Sequence, residues 1–259
     1  FFDKDKIWVI TGWAGMSHVR GSQQRMTDLQ QNPQHYFQKP GVSHVRVDST
    51  ATSMTGFAGR FWINKQKGNF IFNTALGIID PKFDVTDVGF MWRGDVINGH
   101  IIGGYKWVKP GKFTRHAELH LATFGSWDFG GNQLWSGIFQ YGDLAFLNYW
   151  GVNWFWAYNP ESVNNRLTRG GPLTLNPSGW ESYFELESDS RKPWVLSLGF
   201  NGGYYESARY WNISPSVEWK PASNVSVSIG LDYNRDITTA QWVGEFDDPT
   251  ATATYSKRY

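Results

Sequence analysis

Residues 224–236 read NVSVSIGLDYNRD, and their side chains alternate between apolar and polar at every second position. A period of two is typical of a β-strand with one apolar and one polar face. The same alternation recurs along the chain in segments of about ten residues, the length of a membrane-spanning strand. No segment reads convincingly at the helical period of 3.6. The sequence therefore predicts an all-β chain.

The composition of the two faces indicates whether the apolar face is directed toward a protein core or toward lipid. The polar positions are mostly Ser, Gly, Asn, Thr and Ala, whereas the outer face of a soluble sheet is normally well charged. The chain has 15 Trp and 12 Tyr, and aromatic girdles at strand ends mark the two interfaces of a membrane barrel. Aromatic side chains near the ends of apolar segments are Trp107, Trp135, Trp180, Trp194, Trp219 and Tyr233. We therefore predict an antiparallel outer-membrane β-barrel of about twelve strands; the alternative is a soluble sandwich or propeller.

The connections alternate between two kinds, as in barrels with short periplasmic turns and long external loops. Short turns containing Lys, Pro or Gly are at 65–68, 109–112, 189–193 and 220–224, and long polar stretches are at 17–50, 159–178 and about 236–249. Asn98-Gly99 has the composition of a hairpin turn, but a turn there would break the alternation. We therefore predict one long external excursion over 79–99, and a bulge at Pro215, since proline cannot donate to a neighbouring strand.

Composition excludes several classes of protein. A formal net charge of +1 gives no field that would attract nucleic acid, and the absence of cysteine excludes disulfides and thiolate metal sites. No cofactor motif is present, and neither a nucleophile elbow, an HExxH helix nor a Walker loop occurs. An enzyme is therefore not the preferred reading, although a site on the barrel rim stays open. Both ends of the chain resemble strands, so we expect residues 1–259 to be a fragment of one barrel domain, with its targeting segment elsewhere.

Polar clusters on the strands are candidate lumen sites. His116, Glu118 and His120 share one face of a strand; they predict either a hydrogen-bonded interior or a metal site completed by a neighbouring strand. Glu181, Glu185 and Glu187 share one face of another strand, and we expect them to pair with a lumen base such as Arg60 or to favour cations in a pore. No metal is assigned to either group.

The long loops supply the remaining candidates. Arg166 and Arg169 lie in a glycine- and proline-rich stretch that we expect to fold over or into the barrel, held by lumen carboxylates or bound to anionic sugar or lipopolysaccharide. Asp95 ends an Arg-Gly-Asp tripeptide, which is too short to indicate adhesion, and its neighbouring aspartates fit no EF-type calcium loop. Ser17-His18 and His44 lie near the same mouth without an evident third catalytic partner.

Several stretches together resemble the C-terminal barrel region of the DUF5916 family. They include FNTALGIIDPKFDVTDVGFMWRGDVINGH, NPESVNNRLTRGGPLTLNP, SDSRKPWVLSLG and SVEWKPASNVSVSIGLDYNRD, and the NNRLTRGGPL run is the most specific. The resemblance implies a larger outer-membrane protein of Bacteroidota-type bacteria, with a preceding domain similar to a family 9 carbohydrate-binding module and a barrel that continues past Tyr259. It implies no reaction.

The resulting functional hypothesis is an integral barrel of the bacterial outer membrane that belongs to a carbohydrate-associated surface protein. It would anchor that protein, join an envelope complex, or bind or pass a glycan-type solute. Its expected partners are outer-membrane lipid and lipopolysaccharide, with other outer-membrane proteins and glycans as further candidates. The alternatives are an outer-membrane enzyme with a lumen or rim site and a soluble β-rich sugar-binding domain.

Overall fold

The computed structural model describes residues 1–239, 243 and 244, and its dominant feature is one antiparallel sheet. Twelve strands follow one another in nearly sequential order, and a separate two-stranded hairpin, β8–β9, lies in the connection between β7 and β10. The strands are β1 (Trp8–Arg20), β2 (Ser53–Lys65), β3 (Phe70–Ile79), β4 (Val96–Trp107), β5 (Thr114–Trp127), β6 (Gln133–Phe146), β7 (Gly151–Asn159), β8 (Ser162–Asn164), β9 (Thr174–Asn176), β10 (Gly179–Glu187), β11 (Trp194–Tyr205), β12 (Ala208–Ala222), β13 (Val225–Gly230) and β14 (Tyr233–Thr238). The all-β prediction is confirmed.

The two ends of the sheet carry different connections. Short turns follow β2, β4, β6, β10 and β12 at one end, which we call the turn end. The longer connections 21–52, 80–95 and 160–178 leave the other end, the loop end, together with the shorter 128–132 and 206–207. Asn98-Gly99 lies inside β4, where Gly99 pairs with Leu76 and Gly125. The single excursion is thus confirmed in place of a hairpin, although it ends at Asp95.

Two local predictions need correction. The sheet register does not shift at Pro215, because Ile213 pairs with Tyr233 and Ser216 with Gly230 in one continuous alignment. Thus β13 and β14 continue one another along β12 in the same register. The strand pairing is interrupted between them, opposite Pro215, which has no N–H to donate. The irregularity lies further along, between Trp219 and Ala222. The predicted loop at 236–249 begins after β14, and its residues 240–242 and 245–249 lie outside the described part.

A short helix, α1 (Gln23–Gln31), was not predicted. Ser22 caps it by accepting a hydrogen bond from the Arg25 amide, and Met26 and Leu29 lie on its buried side. These two side chains pack with Phe37, Val45 and Met54 in a hydrophobic cluster at the loop end. Tertiary packing therefore stabilises a segment whose own hydrophobic signal is weak. Among the described residues, no helix is both long and apolar enough to cross a bilayer.

The register separates an apolar face from a polar face of the sheet. Along the apolar face the side chains are largely exposed, at 62% for Leu76 and 61% for Leu121. Other members of the apolar face are Phe57, Phe61, Ile101, Leu119, Ile138, Leu198, Phe200, Ile213 and Ile229. The polar face carries Arg60, Asn73, Asn98, His100, Glu118, Asp143, Glu181, Glu185, Asn201, Asn212 and Ser216.

The excursion 80–95 lies across the polar face of β1 and β2. A Cβ added to Gly56 would stand 2.1 Å from the amide nitrogen of Phe83, so the two backbones touch there. Beside it, the Ser17 hydroxyl accepts a hydrogen bond of 2.9 Å from the Asp84 amide. The loop end is therefore folded onto the polar face and does not extend away from the strands.

Candidate functional site

Three groups of side chains on the polar face and its covering loops are candidates for function. The first is the strand cluster, in which β4, β5 and β6 contribute Lys106, His116, Glu118, His120 and Asp143. Glu118 is its centre, because its carboxylate lies 2.9 Å from Lys106 Nζ, 3.2 Å from His116 Nε2 and 3.1 Å from His120 Nε2. The three predicted side chains therefore do converge.

The neighbouring strand supplies the further partner that the sequence required. Asp143 Oδ2 lies 3.5 Å from His116 Nε2, and one ligand atom from each of His116, Glu118 and Asp143 falls within 4.8 Å of the others. Three donors of these types suit a divalent cation. Lys106, however, places an ammonium group on the same Glu118 oxygen that faces His116. The lysine neutralises the Glu118 carboxylate, so that oxygen already has a cationic partner without an added ion.

His120 lies at the edge of this cluster. Its ring is stacked on Tyr141 with centroids 4.4 Å apart and planes 2° apart. Its Nε2 faces Glu118, while its Nδ1 is buried and has no hydrogen-bond partner within the described part of the chain. That nitrogen points toward Gly104, where an added Cβ would be 2.5 Å away. The glycine therefore leaves the space that the imidazole occupies.

Two of the predicted glutamates lie elsewhere on the polar face and take tyrosine partners. The Tyr205 hydroxyl donates to Glu181, and the Tyr183 hydroxyl donates to Glu185 at 2.8 Å. Arg60 is on β2 and donates to Asn98 at 2.6 Å, so the structure does not bring it to these glutamates as expected. The glutamates and Arg60 belong to separate hydrogen-bond networks.

The second group, the buried ion cluster, consists of Lys39, His44, Asp95 and Asp128 at the loop end. Asp95 is 2% exposed; it accepts from His44 Nε2 at 2.9 Å and lies 3.6 Å from Lys39 Nζ. The amide of Phe129 also donates to it at 3.0 Å. Asp95 thus ties the excursion 80–95 to segment 39–44 and to the turn after β5. Its burial also removes the aspartate of the Arg-Gly-Asp tripeptide from the accessible surface.

Burial perturbs the cations around Asp95. Desolvation lowers the pKa of Lys39, and the nearby Arg93 guanidinium acts in the same direction, while Asp95 partly offsets both. Burial, with a contribution from Arg166, lowers the pKa of Arg93 to about 10. The His44, Asp95 and Asp128 ligand atoms lie within 4.8 Å of one another, but Lys39 already provides the counter-charge for Asp95.

A second histidine–aspartate pair lies beside this cluster. His35 is 1% exposed; its Nε2 lies 2.9 Å from Asp84 Oδ2 and its Nδ1 lies 2.8 Å from the Pro81 carbonyl oxygen. Burial alone would raise the pKa of the Asp84 carboxyl, but hydrogen bonds from Thr86 and His35 outweigh it and lower the pKa. This pair fastens segment 33–39 to the excursion.

The arginine-rich loop joins the same assembly. Arg166 donates to the Pro33 carbonyl oxygen and lies over the Tyr36 ring at 5.3 Å, in place of the lumen carboxylates that we expected. Arg93 donates to Asn165 at 3.2 Å. Arg169 adopts a left-handed backbone with φ of 53°, next to Gly170. The three connections 21–52, 80–95 and 160–178 therefore form one interlocked unit, which we call the loop body.

The rim residues show no catalytic arrangement. Ser17 accepts from the backbone of Asp84, whereas His18 lies on the other face of β1 and its Nδ1 contacts Thr55 Oγ1 at 2.7 Å. His44 is engaged by Asp95. The serine and the histidines therefore point to different partners.

The third group is an aromatic cavity that the sequence did not predict. It has a volume of about 590 Å³ between the excursion 80–95 and the polar face. Trp13, Trp92 and Trp135 line it together with Phe83, Arg93 and Asn98. The prediction that Trp135 belongs to the aromatic girdle of the apolar face is wrong. Its register opposite Ser126 places it on the polar face, where it packs edge-on against Phe124 with the ring centroids 4.6 Å apart.

Comparison with known proteins gives a family and nothing narrower. No curated protein and no solved structure matches the chain significantly. The family model described as "Domain of unknown function (DUF5916)" matches residues 16–259, nearly the whole chain. The chain therefore belongs to the DUF5916 family.

Proposed function

We propose that this chain forms the wall of an outer-membrane β-barrel that anchors a bacterial surface protein. The observation that carries the proposal is the exposed apolar face, because a soluble sheet buries such a face in a core. In a bilayer the same side chains contact hydrocarbon while the opposite parity faces an enclosed, polar interior.

Aromatic side chains at both ends of the apolar face support this proposal. Near the turn end Trp194 stacks on Trp219 at 5.5 Å, and near the loop end Trp180 packs against Trp156 at 4.7 Å. Along β11, Trp194 and Tyr204 are ten residues apart. At about 3.3 Å per residue and a tilt of about 40°, that separation spans roughly 25 Å of bilayer. This height equals the apolar band of outer-membrane barrels.

The loop body favours an anchor over an open channel. The excursion 80–95 touches the polar face at Gly56, and it is fastened to 33–47 through two histidine–aspartate pairs in which both aspartates are buried. Material packed on the polar face would obstruct the interior of a closed barrel. The edge strands β1 and β13–β14 each have one neighbour among the described strands, and we expect closure of the barrel to give each of them a second one.

Single-cysteine labelling tests the orientation of the faces, since the chain contains no cysteine. Leu198→Cys and Asn201→Cys place a nitroxide on opposite faces of β11, three residues apart, at two exposed positions. In bilayers the label at Leu198 should be accessible to oxygen, and the label at Asn201 to a water-soluble nickel complex. Equal access of the nickel complex to both labels, or a protein that stays soluble without detergent, would refute the barrel.

A second candidate function, glycan binding, is favoured by the aromatic cavity. Its volume falls in the range of small-molecule sites, which combine apolar walls with a few polar groups. Indole faces such as those of Trp13 and Trp92 suit the C–H face of a sugar ring, and Arg93 and Asn98 offer polar contacts at the rim. Tryptophan fluorescence titrated with an oligosaccharide series should show saturation that Trp92→Ala abolishes. Titration without any response would remove this candidate.

A further inference from the structure

The two ends of the sheet differ strongly in charge. The turn-end connections 66–69, 108–113, 147–150, 188–193 and 223–224, together with residues 1–7, contain seven basic and three acidic side chains. The adjoining strand ends add Lys65, Arg115, Lys220 and Glu187. The loop-end connections 21–52, 80–95, 128–132, 160–178 and 206–207 contain seven basic and nine acidic ones. The net charge of +1 for the chain therefore hides a basic turn end and a slightly acidic loop end.

The basic side chains of the turn end form one continuous rim, because neighbouring turns contact each other. Lys67 Nζ donates to the Asp5 carbonyl oxygen, and Arg115 and Arg191 both lie over the Tyr149 ring, at 4.1 and 3.0 Å. We call this surface the basic rim, formed by Lys4, Lys6, Lys65, Lys67, Lys109, Lys112, Arg115, Arg191, Lys192 and Lys220.

Part of the basic rim has no internal counter-charge. Arg191 is held by Asp189 at 2.8 Å, and Lys220 by Glu218 at 3.0 Å. Lys109 and Lys112, in contrast, make no ion pair with any described residue and are exposed. Their turn also exposes two apolar side chains, Val108 at 57% and Phe113 at 76%. Exposed lysines beside exposed apolar groups, next to a girdle of tryptophans, suit a lipid headgroup layer.

We propose that the basic rim binds the phosphates of anionic glycerophospholipids in the leaflet that meets the turn end. This inference rests on the proposed barrel, because the wall must be in a bilayer for the rim to reach headgroups. Each basic residue near an anionic lipid surface favours association by about fivefold. The loop end, with its acidic excess, has no comparable attraction. The basic rim therefore gives the turn end a stronger attraction to anionic lipid than the loop end has.

The test measures which lipid contacts the protein in a mixed bilayer. Wild-type protein is reconstituted in phosphatidylcholine vesicles that contain a few per cent of headgroup-labelled phosphatidylglycerol or, in parallel, labelled phosphatidylcholine. Energy transfer from tryptophan then gives the relative association of the two lipids. We expect phosphatidylglycerol to be preferred about fivefold at low salt, and the preference to vanish near 1 M salt, where the screening length is about 3 Å.

Matched charge variants locate the effect. Replacing Lys109, Lys112 and Lys192 with glutamine should lower the lipid preference clearly below that of the wild type, because three of the ten cations of the basic rim are lost. Replacing Arg25, Arg46 and Lys82, three exposed cations of the loop end, with glutamine should leave it unchanged. Millimolar inorganic phosphate should not compete, which separates a lipid surface from a free-phosphate site.

The outcomes separate this inference from the barrel itself. Equal transfer to both lipids in the wild type, or equal loss in both triple variants, would overturn the lipid inference and leave the barrel standing. A wild-type protein that incorporates into neither kind of vesicle would overturn both. The salt dependence of the wild type needs no variant, so a misfolded triple variant does not weaken the test.

Discussion

Replacing Asp95 with asparagine should release the loop body from the polar face. The substitution preserves shape, and asparagine tolerates the left-handed backbone that Asp95 adopts at φ of 58°. What it removes is the charge opposite Lys39, whose side chain is 3% exposed. Breaking a buried ion pair by removing one partner costs about 3–5 kcal/mol, because the other charge stays buried.

The protonation of Lys39 sets an upper limit on that cost. An unpaired buried ammonium escapes its penalty by losing the proton, which at pH 7 costs about 5 kcal/mol for a lysine with a normal pKa near 10.4. Burial already lowers the pKa of Lys39 in the intact protein, and removing Asp95 should lower it further. Since the unfolded chain holds the extra proton, the penalty should shrink as pH rises, to at most about 2 kcal/mol at pH 9.

Amide hydrogen exchange in segment 33–47 measures this change directly. The Phe37 amide donates to the Gln30 carbonyl at 2.9 Å, so its protection reports whether the segment is docked. A loss of 3 kcal/mol corresponds to a roughly 150-fold fall in protection at pH 7. Asp87→Asn, at an exposed position in the same excursion, is the matched control and should change nothing.

A double variant distinguishes the charge from other effects of the substitution. Adding Lys39→Met to Asp95→Asn removes both charges and should recover much of the lost protection, because apolar replacements of a buried pair are often neutral. Protection in Asp95→Asn within threefold of wild type at pH 7, or a penalty that grows with pH, would refute the reasoning.

Three further changes test other contacts. Gly56→Ala should displace the excursion and expose 80–95 to proteolysis, because its Cβ would lie 2.1 Å from the Phe83 backbone. Gly103→Ala, whose Cβ would have no atom within 4 Å, should leave the rate of proteolysis unchanged. The lowered pKa of Asp84 stabilises the folded state above the unfolded pKa, near 3.9. Loop protection should therefore fall as pH drops below about 4 in wild type, but not in Asp84→Asn. Pro215→Val restores a donor in mid-sheet and should raise the unfolding temperature slightly; a fall would argue against the continuous register.

The strands and their connections were predictable because a sheet with unlike faces imposes a strict period of two on the sequence. The excursion could be assigned for a related reason, since antiparallel order places successive connections at opposite ends of the sheet, and a turn at Asn98-Gly99 would have moved 160–178 to the turn end. The strand β6 shows the limit of this signal. It carries Trp135, Phe139 and Tyr141 on one parity and Leu134 and Ile138 on the other, so both faces read as apolar. Only pairing with the neighbouring strands settles the faces, and the pairing with β5 includes irregularities at both ends.

The candidate sites also divide into residues that the strand pattern reveals and residues that only the folded chain brings together. His116, Glu118 and His120 were found because they follow one another on one strand, whereas Asp143 joins them through a register that periodicity does not reveal. Lys39 and Asp95 are 56 positions apart and meet only after two loops fold together. Loop residues have no periodic constraint. The sequence shows only that these two charged residues lie among apolar ones, which does not predict that they pair.

The distribution of apolar side chains explains why the loop body matters to the fold. In the wall, large apolar groups such as Leu76 and Leu121 are exposed, and small ones such as Ala58 and Ala122 are buried. The buried hydrophobic cluster of large side chains lies instead around Met26, at the loop end. Hydrophobic burial in water can therefore drive the loops to pack, but it cannot by itself hold the wall together. In the proposed barrel the apolar face contacts hydrocarbon, so we expect transfer into detergent or lipid to raise the unfolding temperature of the strands more than that of the loop body.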